Sequence, residues 1–245
     1  MSWTETVDLS GKVALVTGGS EGIGTAVAAD LARAGARVVV TSRSLEKAEA
    51  VAAGIDGDVV GRACDVRSME ACEALMADIG QLYGRLDILV NNAGLGIFKP
   101  IQEMSVEEWK AQVETNLTGV FLTSKAALPL LRAAGQGGEG DAWIINIGSL
   151  ASRNSFGNGA GYNASKFGLL GMTEAMMIDL RYDGIRTSIV MPGSVNTGFN
   201  NHTEDRDWAI QPEDVGRAVL QLVAYPTGTL VSRVEMRPSR PLRRG

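Results

Sequence analysis

This 245-residue chain has few of the residues that build disulfide scaffolds or metal centres. Its cysteines are Cys64 and Cys72, and its one histidine is His202. Two thiols make no disulfide framework and no Cys/His cluster, so a reducing compartment fits and no metal is expected. His202 stands among Asn200, Asn201 and Asp205 and reads as a solvated loop residue without a catalytic role. An excess of one charge is also lacking: the formal net charge is -5, which gives no reason to expect nucleic acid or an anionic membrane as partner. The local exception is the basic tail Arg237 to Arg244, interleaved with Pro238 and Pro241; residues 236–245 read as an extended, solvated terminus. The first residues carry Glu5 and Asp8 and no uninterrupted apolar stretch. Neither a signal peptide nor a membrane span is expected, and the protein should be soluble and cytoplasmic.

No Pro/Ser-rich or highly charged linker divides the chain, so residues 1–245 are expected to form one domain with a substantial core. Short apolar runs read as strands at 12–17, 37–41, 59–64, 86–91, 143–147, 187–191 and 230–234. The central runs are apolar enough to be buried on both faces. Helical patterns fill 22–34, 44–54, 68–83, 105–133, 161–182 and 212–224, with Ser68 and Ser105 as N-caps and Gly35 and Gly84 as stop signals. This alternation predicts an α/β fold: a doubly wound, Rossmann-type sheet of seven parallel strands covered by helices on both faces. The glycine-rich stretch 135–141 reads as a surface loop.

Two patterns carry chemistry. Tyr162 and Lys166 stand four apart in Tyr-Asn-Ala-Ser-Lys, which places them on one face of a helix. Bringing a phenol from near 10 to about 7 needs roughly 4 kcal/mol. An ammonium at about 5 Å, in an effective dielectric of about 20, supplies roughly 3 kcal/mol, and a cationic cofactor could add the remainder. Among four tyrosines and six lysines, such a spacing arises by chance in about one sequence in ten, so it needs company. That company begins at Thr17-Gly-Gly-Ser-Glu-Gly-Ile-Gly24, which follows the first strand and opens the first helix. Gly18 allows the tight turn, Gly22 lets the backbone approach a pyrophosphate, and Gly24 lets helix and sheet pack closely.

With these motifs the chain resembles the short-chain dehydrogenase/reductase family, of the large single-domain type, over nearly its whole length. Asp65 in Cys-Asp-Val, the Asn91 to Gly94 turn, Asn116 in Thr-Asn-Leu, Ser149, Tyr162, Lys166 and the Pro192-Gly193 turn follow in the family's order. The resemblance implies that Tyr162 exchanges the proton of a substrate oxygen while hydride passes between a nicotinamide and a carbonyl or carbinol carbon. Ser149 would bond the substrate oxygen, Lys166 would lower the tyrosine and bind the ribose, and Asn116 would position a water linking the lysine to solvent. It places the cofactor against Gly18, Ser20, Gly22, Ile23, Gly24, Ser42, Arg43, Asp65, Val66, Asn91, Ala93, Gly94, Pro192, Gly193, Val195 and Thr197, besides Tyr162 and Lys166. Asn91 to Gly94 should also stabilise the sheet beneath it.

Ser42, where dinucleotide folds that take NAD(H) carry an acidic residue, is followed by Arg43, so NADP(H) is expected over NAD(H) despite Glu21 nearby. The expected substrate is a small carbonyl compound or secondary alcohol. Residues 197–211 read as the substrate loop, and Phe98, Phe156 and Trp208 as an apolar wall. The ending Val-Glu-Met-Arg-Pro departs from the Asp-Gly-Gly ending common among acyl-carrier-protein reductases, which weakens a 3-oxoacyl thioester reading. An NAD-dependent alcohol dehydrogenase of the same family is a further alternative. A non-catalytic NADP(H) sensor would be favoured by loss of Ser149, Tyr162 or Lys166, all of which are present. Family resemblance further implies a homo-oligomer, a tetramer or a dimer, paired through the helices at 105–133 and 161–182.

Overall fold

The apolar runs pair into a seven-stranded sheet in the order β3-β2-β1-β4-β5-β6-β7, parallel throughout. The structure is a computed structural model and describes residues 7–136, 142–199 and 206–241. The strands are β1 Val13–Val16, β2 Arg37–Ser42, β3 Val59–Ala63, β4 Ile88–Asn91, β5 Ala142–Ile147, β6 Ile185–Pro192 and β7 Arg233–Met236. The helices are α1 Gly22–Arg33, α2 Leu45–Ala53, α3 Met69–Tyr83, α4 Val106–Val113, α5 Gly119–Gly135, α6 Ala160–Leu180 and α7 Pro212–Val223. His202, the centre of the expected loop at 135–141, part of the 197–211 segment and the last four residues lie outside the described residues.

Alternation along β1 feeds two cores. Ala14 and Val16 pack with Val27 and Leu31 of α1 and Val215 and Val219 of α7. Val13 and Leu15 pack with Leu75 and Ile79 of α3 and Leu131 of α5. Each fully buried Leu or Ile contributes about 1.5–3 kcal/mol, which explains why these strands carry few polar residues. Both expected N-caps hold: Ser68 accepts from the Ala71 amide at 3.1 Å, and Ser105 from the Glu108 amide at 3.1 Å. Gly84 ends α3 at φ 72°, a left-handed conformation open to glycine.

Two elements differ from expectation. The helix foreseen at 105–133 is broken by a π-turn at Glu114–Thr118 between α4 and α5. The strand foreseen at 230–234 falls at Arg233–Met236, because its register is set by β6, where Ile189 lies opposite Arg233 and Pro192 opposite Met236. Neither the wider π ring nor a register with a distant strand has a local signature. Among the described residues no helix is long and apolar enough to cross a membrane, and no group of three or more His, Cys, Asp or Glu could hold a metal ion.

Candidate active site

The strand order reverses between β1 and β4, and at such a switch point the loops beyond the strands' C-terminal ends part to leave a crevice. The turn after β1 lines it. Gly18 and Gly22 adopt φ 61° and 54°, which side chains disfavour. A Cβ on Gly24 would lie 2.4 Å from the Gly18 carbonyl and 2.5 Å from Asn92 Nδ2. That amide is a clamp: Asn92 Nδ2 donates to the carbonyls of Thr17 at 3.0 Å and Gly18 at 2.8 Å. Thr17 Oγ1 in turn accepts from the amides of Asn92 and Ala93. Asn92 therefore fixes the turn, a role that only the tertiary contact shows. The N-terminus of α1 is uncapped: Glu21 makes no side-chain cap bond and the first turn holds no acidic residue. Free N–H groups beneath a glycine cradle, with the Thr197 methyl 3.0 Å from a Cβ placed on Gly22, fit a dinucleotide pyrophosphate.

Asn91, placed by the resemblance against the cofactor, has its side chain inside the core. Its Nδ2 donates to Ser124 Oγ at 3.0 Å and to Asn146 Oδ1 at 2.9 Å, and Asn146 donates to Thr173 Oγ1 at 2.8 Å. This chain ties β4, β5, α5 and α6 together beneath the crevice. It fulfils the supporting role expected of the turn, and each bond contributes about 1 kcal/mol.

The π-turn brings Asn116 fully into the interior. Its Oδ1 accepts from the Leu95 amide at 2.8 Å, and its Nδ2 donates to the Leu95 carbonyl at 2.8 Å and Ser165 Oγ at 3.0 Å. Asn116 thus pins the loop after β4. A Cβ on Gly94 would stand 3.2 Å from Asn116 Oδ1 and 3.8 Å from Lys166 Nζ, so Gly94 lies between them. On α6, Tyr162 and Lys166 are both buried, with Lys166 Nζ 5.8 Å from the phenol ring centroid. Lys166 donates to the Ile147 carbonyl at 2.8 Å. Ser149 caps the short turn after β5, accepting from the Ala151 amide at 3.1 Å, and its side chain stands near enough to the Tyr162 phenol to pull it down.

The electrostatics depart from the expectation that Lys166 dominates the phenol. Burial pushes Tyr162 up, and the hydrogen bond from Ser149 pulls it partly back. Burial likewise lowers Lys166 from 10.5 to about 8. The desolvation that the sequence estimate omitted governs both groups.

At the far end of the crevice, Arg43 is exposed just beyond Ser42. Asp65 is held by its neighbour: Arg67 reaches its two oxygens at 2.9 and 2.6 Å, and this bond is the main reason its carboxyl lies below the usual range, with Arg43 contributing least. Arg67 had no motif to mark it. Val66 is buried beside Asp65. Ser20, Ile23 and Ala93 are half-buried along the crevice. After β6, the Gly193 amide bonds the Met236 carbonyl at 2.9 Å, and Val195 pairs with Ile210. Pro192 ends β6, and of the segment Pro192, Gly193, Val195 and Thr197 it is Thr197 that reaches the glycine turn, at Gly22. The apolar wall is Phe98, Phe156 and Phe199: their ring centroids lie 5.4, 6.5 and 5.9 Å from that of Tyr162. Among the described residues Trp208 is not one of the rings on this phenol, and Phe199 takes the place foreseen for it.

Comparison with known proteins agrees with this arrangement. The family model for short chain dehydrogenases matches residues 12–208. A candidate ketoacyl reductase of Streptomyces coelicolor is 41% identical, covering 89% of this chain and 90% of its own. The crystal structure of a metagenomic short-chain oxidoreductase in complex with NADP is 38% identical, with a TM-score of 0.82 over 95% of this chain and 99% of the other. A Brucella melitensis 3-ketoacyl-(acyl-carrier-protein) reductase complexed with NADH has a TM-score of 0.87 at 28% identity, over 95% and 99% of the two chains. A glycine cradle, a buried Tyr-Lys pair beside Ser149 and relatives matched over nearly the full length lead to one conclusion: this chain belongs to the short-chain dehydrogenase family.

Proposed function

We propose that the protein is an NADP(H)-dependent oxidoreductase acting on a small carbonyl compound or the matching secondary alcohol, with Tyr162 as general acid and base and the whole chain as one cofactor-binding domain. The observation that carries this reading is the buried Tyr162 phenol, with the Lys166 ammonium 5.8 Å from its ring centroid and Ser149 near enough to pull it down, at the rim where the glycine turn opens. A nicotinamide held there supplies or accepts the hydride. Tyr162 gives its proton to the substrate oxygen in reduction and takes it in oxidation, while Ser149 holds that oxygen by a hydrogen bond. Lys166, anchored to the Ile147 carbonyl, keeps a positive charge beside the phenol. Asn116 positions the wall of the crevice through Leu95. Tyr162→Phe tests this reading: turnover is expected to fall at least about a hundredfold while cofactor affinity is kept.

The preference for NADP(H) over NAD(H) rests on Arg43. Arg67 already engages both oxygens of Asp65, so the charge of Arg43 remains available for a 2′-phosphate. A charge-assisted bond to that phosphate is worth about 1.5–3 kcal/mol. Glu21, exposed at the start of α1, opposes it by about 1 kcal/mol at roughly 8 Å and an effective dielectric of about 40. Arg43→Asp is expected to raise the KM for NADPH roughly ten- to a hundredfold and leave that for NADH unchanged or lower. Steady-state titration with both cofactors measures this, and an unchanged ratio would sink the assignment.

A homo-oligomer paired through α4, α5 and α6 completes this reading, in a cytoplasmic setting. It is supported by the exposure of Val106, Trp109, Phe121, Phe167 and Ile178 on those helices, apolar side chains that a second copy would cover. Light scattering is expected to give a mass near four times, or twice, the 25.8 kDa of one chain. A monomer would rule out the pairing.

A further inference from the structure

We infer that the substrate is an uncharged ketone, or its secondary alcohol, carrying a flat apolar group beside the reacting carbon, held by Phe98, Phe156 and Phe199. This rests on the oxidoreductase reading and names the substrate class of that same site. The three phenylalanines come from three separate loops, after β4, β5 and β6, yet all gather on the Tyr162 ring. Phe98 stands edge-on to Phe156 and to Tyr162, each pair with centroids 5.4 Å apart. The chain has five phenylalanines, so three on one phenol is a concentration that composition does not explain.

Two of these rings are not covered. Phe156 is 46% exposed and Phe199 38% exposed, at the mouth of a site whose phenol is buried. Apolar surface left open beside a proton donor is surface that an apolar ligand can cover. The loops that carry the rings are held by buried amides. Gln112 Oε1 accepts from the Ile97 amide at 3.0 Å, and Asn163 donates to the Ala151 carbonyl at 2.9 Å and accepts from the Phe156 amide at 3.4 Å. Gly96 has no room for a side chain: a Cβ there would lie 2.9 Å from both Phe98 and Phe199.

Polar substrates find less. Among the described residues the side-chain amides nearest the rings, Gln112 and Asn163, are engaged with backbone, so they offer little to the hydroxyls of a polyol. Nearby cations are engaged too. Arg153 pairs with Glu235 at 2.7 Å and Lys99 with Glu108, so a carboxylate already neutralises each of these two and weakens its draw on a charged substrate.

The test uses the full chain with NADPH and with NADH, and compares acetophenone, the polyhydroxy ketone erythrulose and the oxo acid acetoacetate. The expected kcat/KM for acetophenone exceeds either other by at least about tenfold, and Phe98→Ala and Phe156→Ala each narrow that gap about tenfold, mainly through KM. A binding measurement runs beside it: calorimetric titration of 1-phenylethanol into the cofactor-loaded protein, where binding weakens at least about fivefold in Phe156→Ala. Preference for erythrulose or acetoacetate, alanine variants that lower all three substrates equally, or no binding of 1-phenylethanol overturns the inference. If erythrulose turns over in a Tyr162-dependent way and acetophenone does not, the inference fails and the oxidoreductase reading stands. If 1-phenylethanol binds through Phe156 but no substrate turns over with either cofactor, the oxidoreductase reading fails and the apolar site stands.

Discussion

Tyr162→Phe lowers turnover at least about a hundredfold and leaves cofactor affinity within about threefold, the signature of losing a proton donor rather than a binding contact. The substitution removes one oxygen and keeps the ring, so the packing against Phe98, Phe156 and Phe199 survives. Ser149 is not left without a partner, because its hydroxyl also accepts from the Ala151 amide. The fold is therefore unchanged and the loss belongs to the chemistry. Direction matters as well. Burial holds the phenol above its ordinary value, so at neutral pH Tyr162 is protonated and ready to donate. Carbonyl reduction in the wild type is expected to stay level through neutral pH and decline in alkali as the phenol ionises, while alcohol oxidation climbs. Saturation kinetics in both directions, with cofactor titration, measure these outcomes. Near-normal turnover in the variant would falsify the assignment of Tyr162.

Lys166→Met is expected to make the protein more stable and nearly inactive. Burial lowers Lys166 from 10.5 to about 8, and such a fall corresponds to roughly 3 kcal/mol of stability lost by holding the ammonium in the fold. Against this stands the bond to the Ile147 carbonyl, worth about 1 kcal/mol. The expected net gain for the variant at pH 7 is roughly 2 kcal/mol. Below pH 8 the lysine is protonated in folded and unfolded chains alike, and the full penalty is present. From about 8 to 10.5 the unfolded chain binds a proton that the folded chain has released, so wild-type stability rises with pH. At pH 9.5 the penalty has shrunk to about 1 kcal/mol, and the advantage of the variant is close to zero. Urea unfolding at both pH values reads this directly. A variant less stable than wild type at pH 7 would mean that the ammonium is well solvated by groups around it. Activity falls in either case, because methionine brings no charge to the phenol.

Much of the fold was legible because its determinants are local. Buried strands need β-branched and aliphatic runs, and Val38, Val39 and Val40 are completely buried. Caps need a hydroxyl at the right place, as at Ser68 and Ser105. The glycine turn after β1 was readable for the same reason: positive φ at Gly18 and Gly22 leaves its mark in residue type. The candidate site was legible in part. Ser149, Tyr162 and Lys166 come together as their order implied, and Asn116 joins them through a π-turn that no periodicity announces.

Other features escaped because they depend on residues far apart in the chain. Asn92 looks like one more polar residue in a turn until its amide is seen to clamp Thr17 and Gly18, more than seventy positions earlier. Arg67 carries no motif, yet it occupies the carboxylate of Asp65. Phe199 had nothing to separate it from Trp208 until the loop after β6 placed its ring on Tyr162.

By itself, then, the sequence determined the doubly wound sheet, the glycine cradle and the placing of Tyr162 and Lys166 on one face of a helix, since each follows from backbone geometry and side-chain type over a few residues. Only the tertiary structure decided the register of β7, the aromatic enclosure of the phenol and the direction in which Tyr162 and Lys166 are shifted. The physical reason is burial. Desolvation and ring packing arise when distant segments exclude water together, and a charge estimated at a fixed distance in a uniform dielectric contains neither.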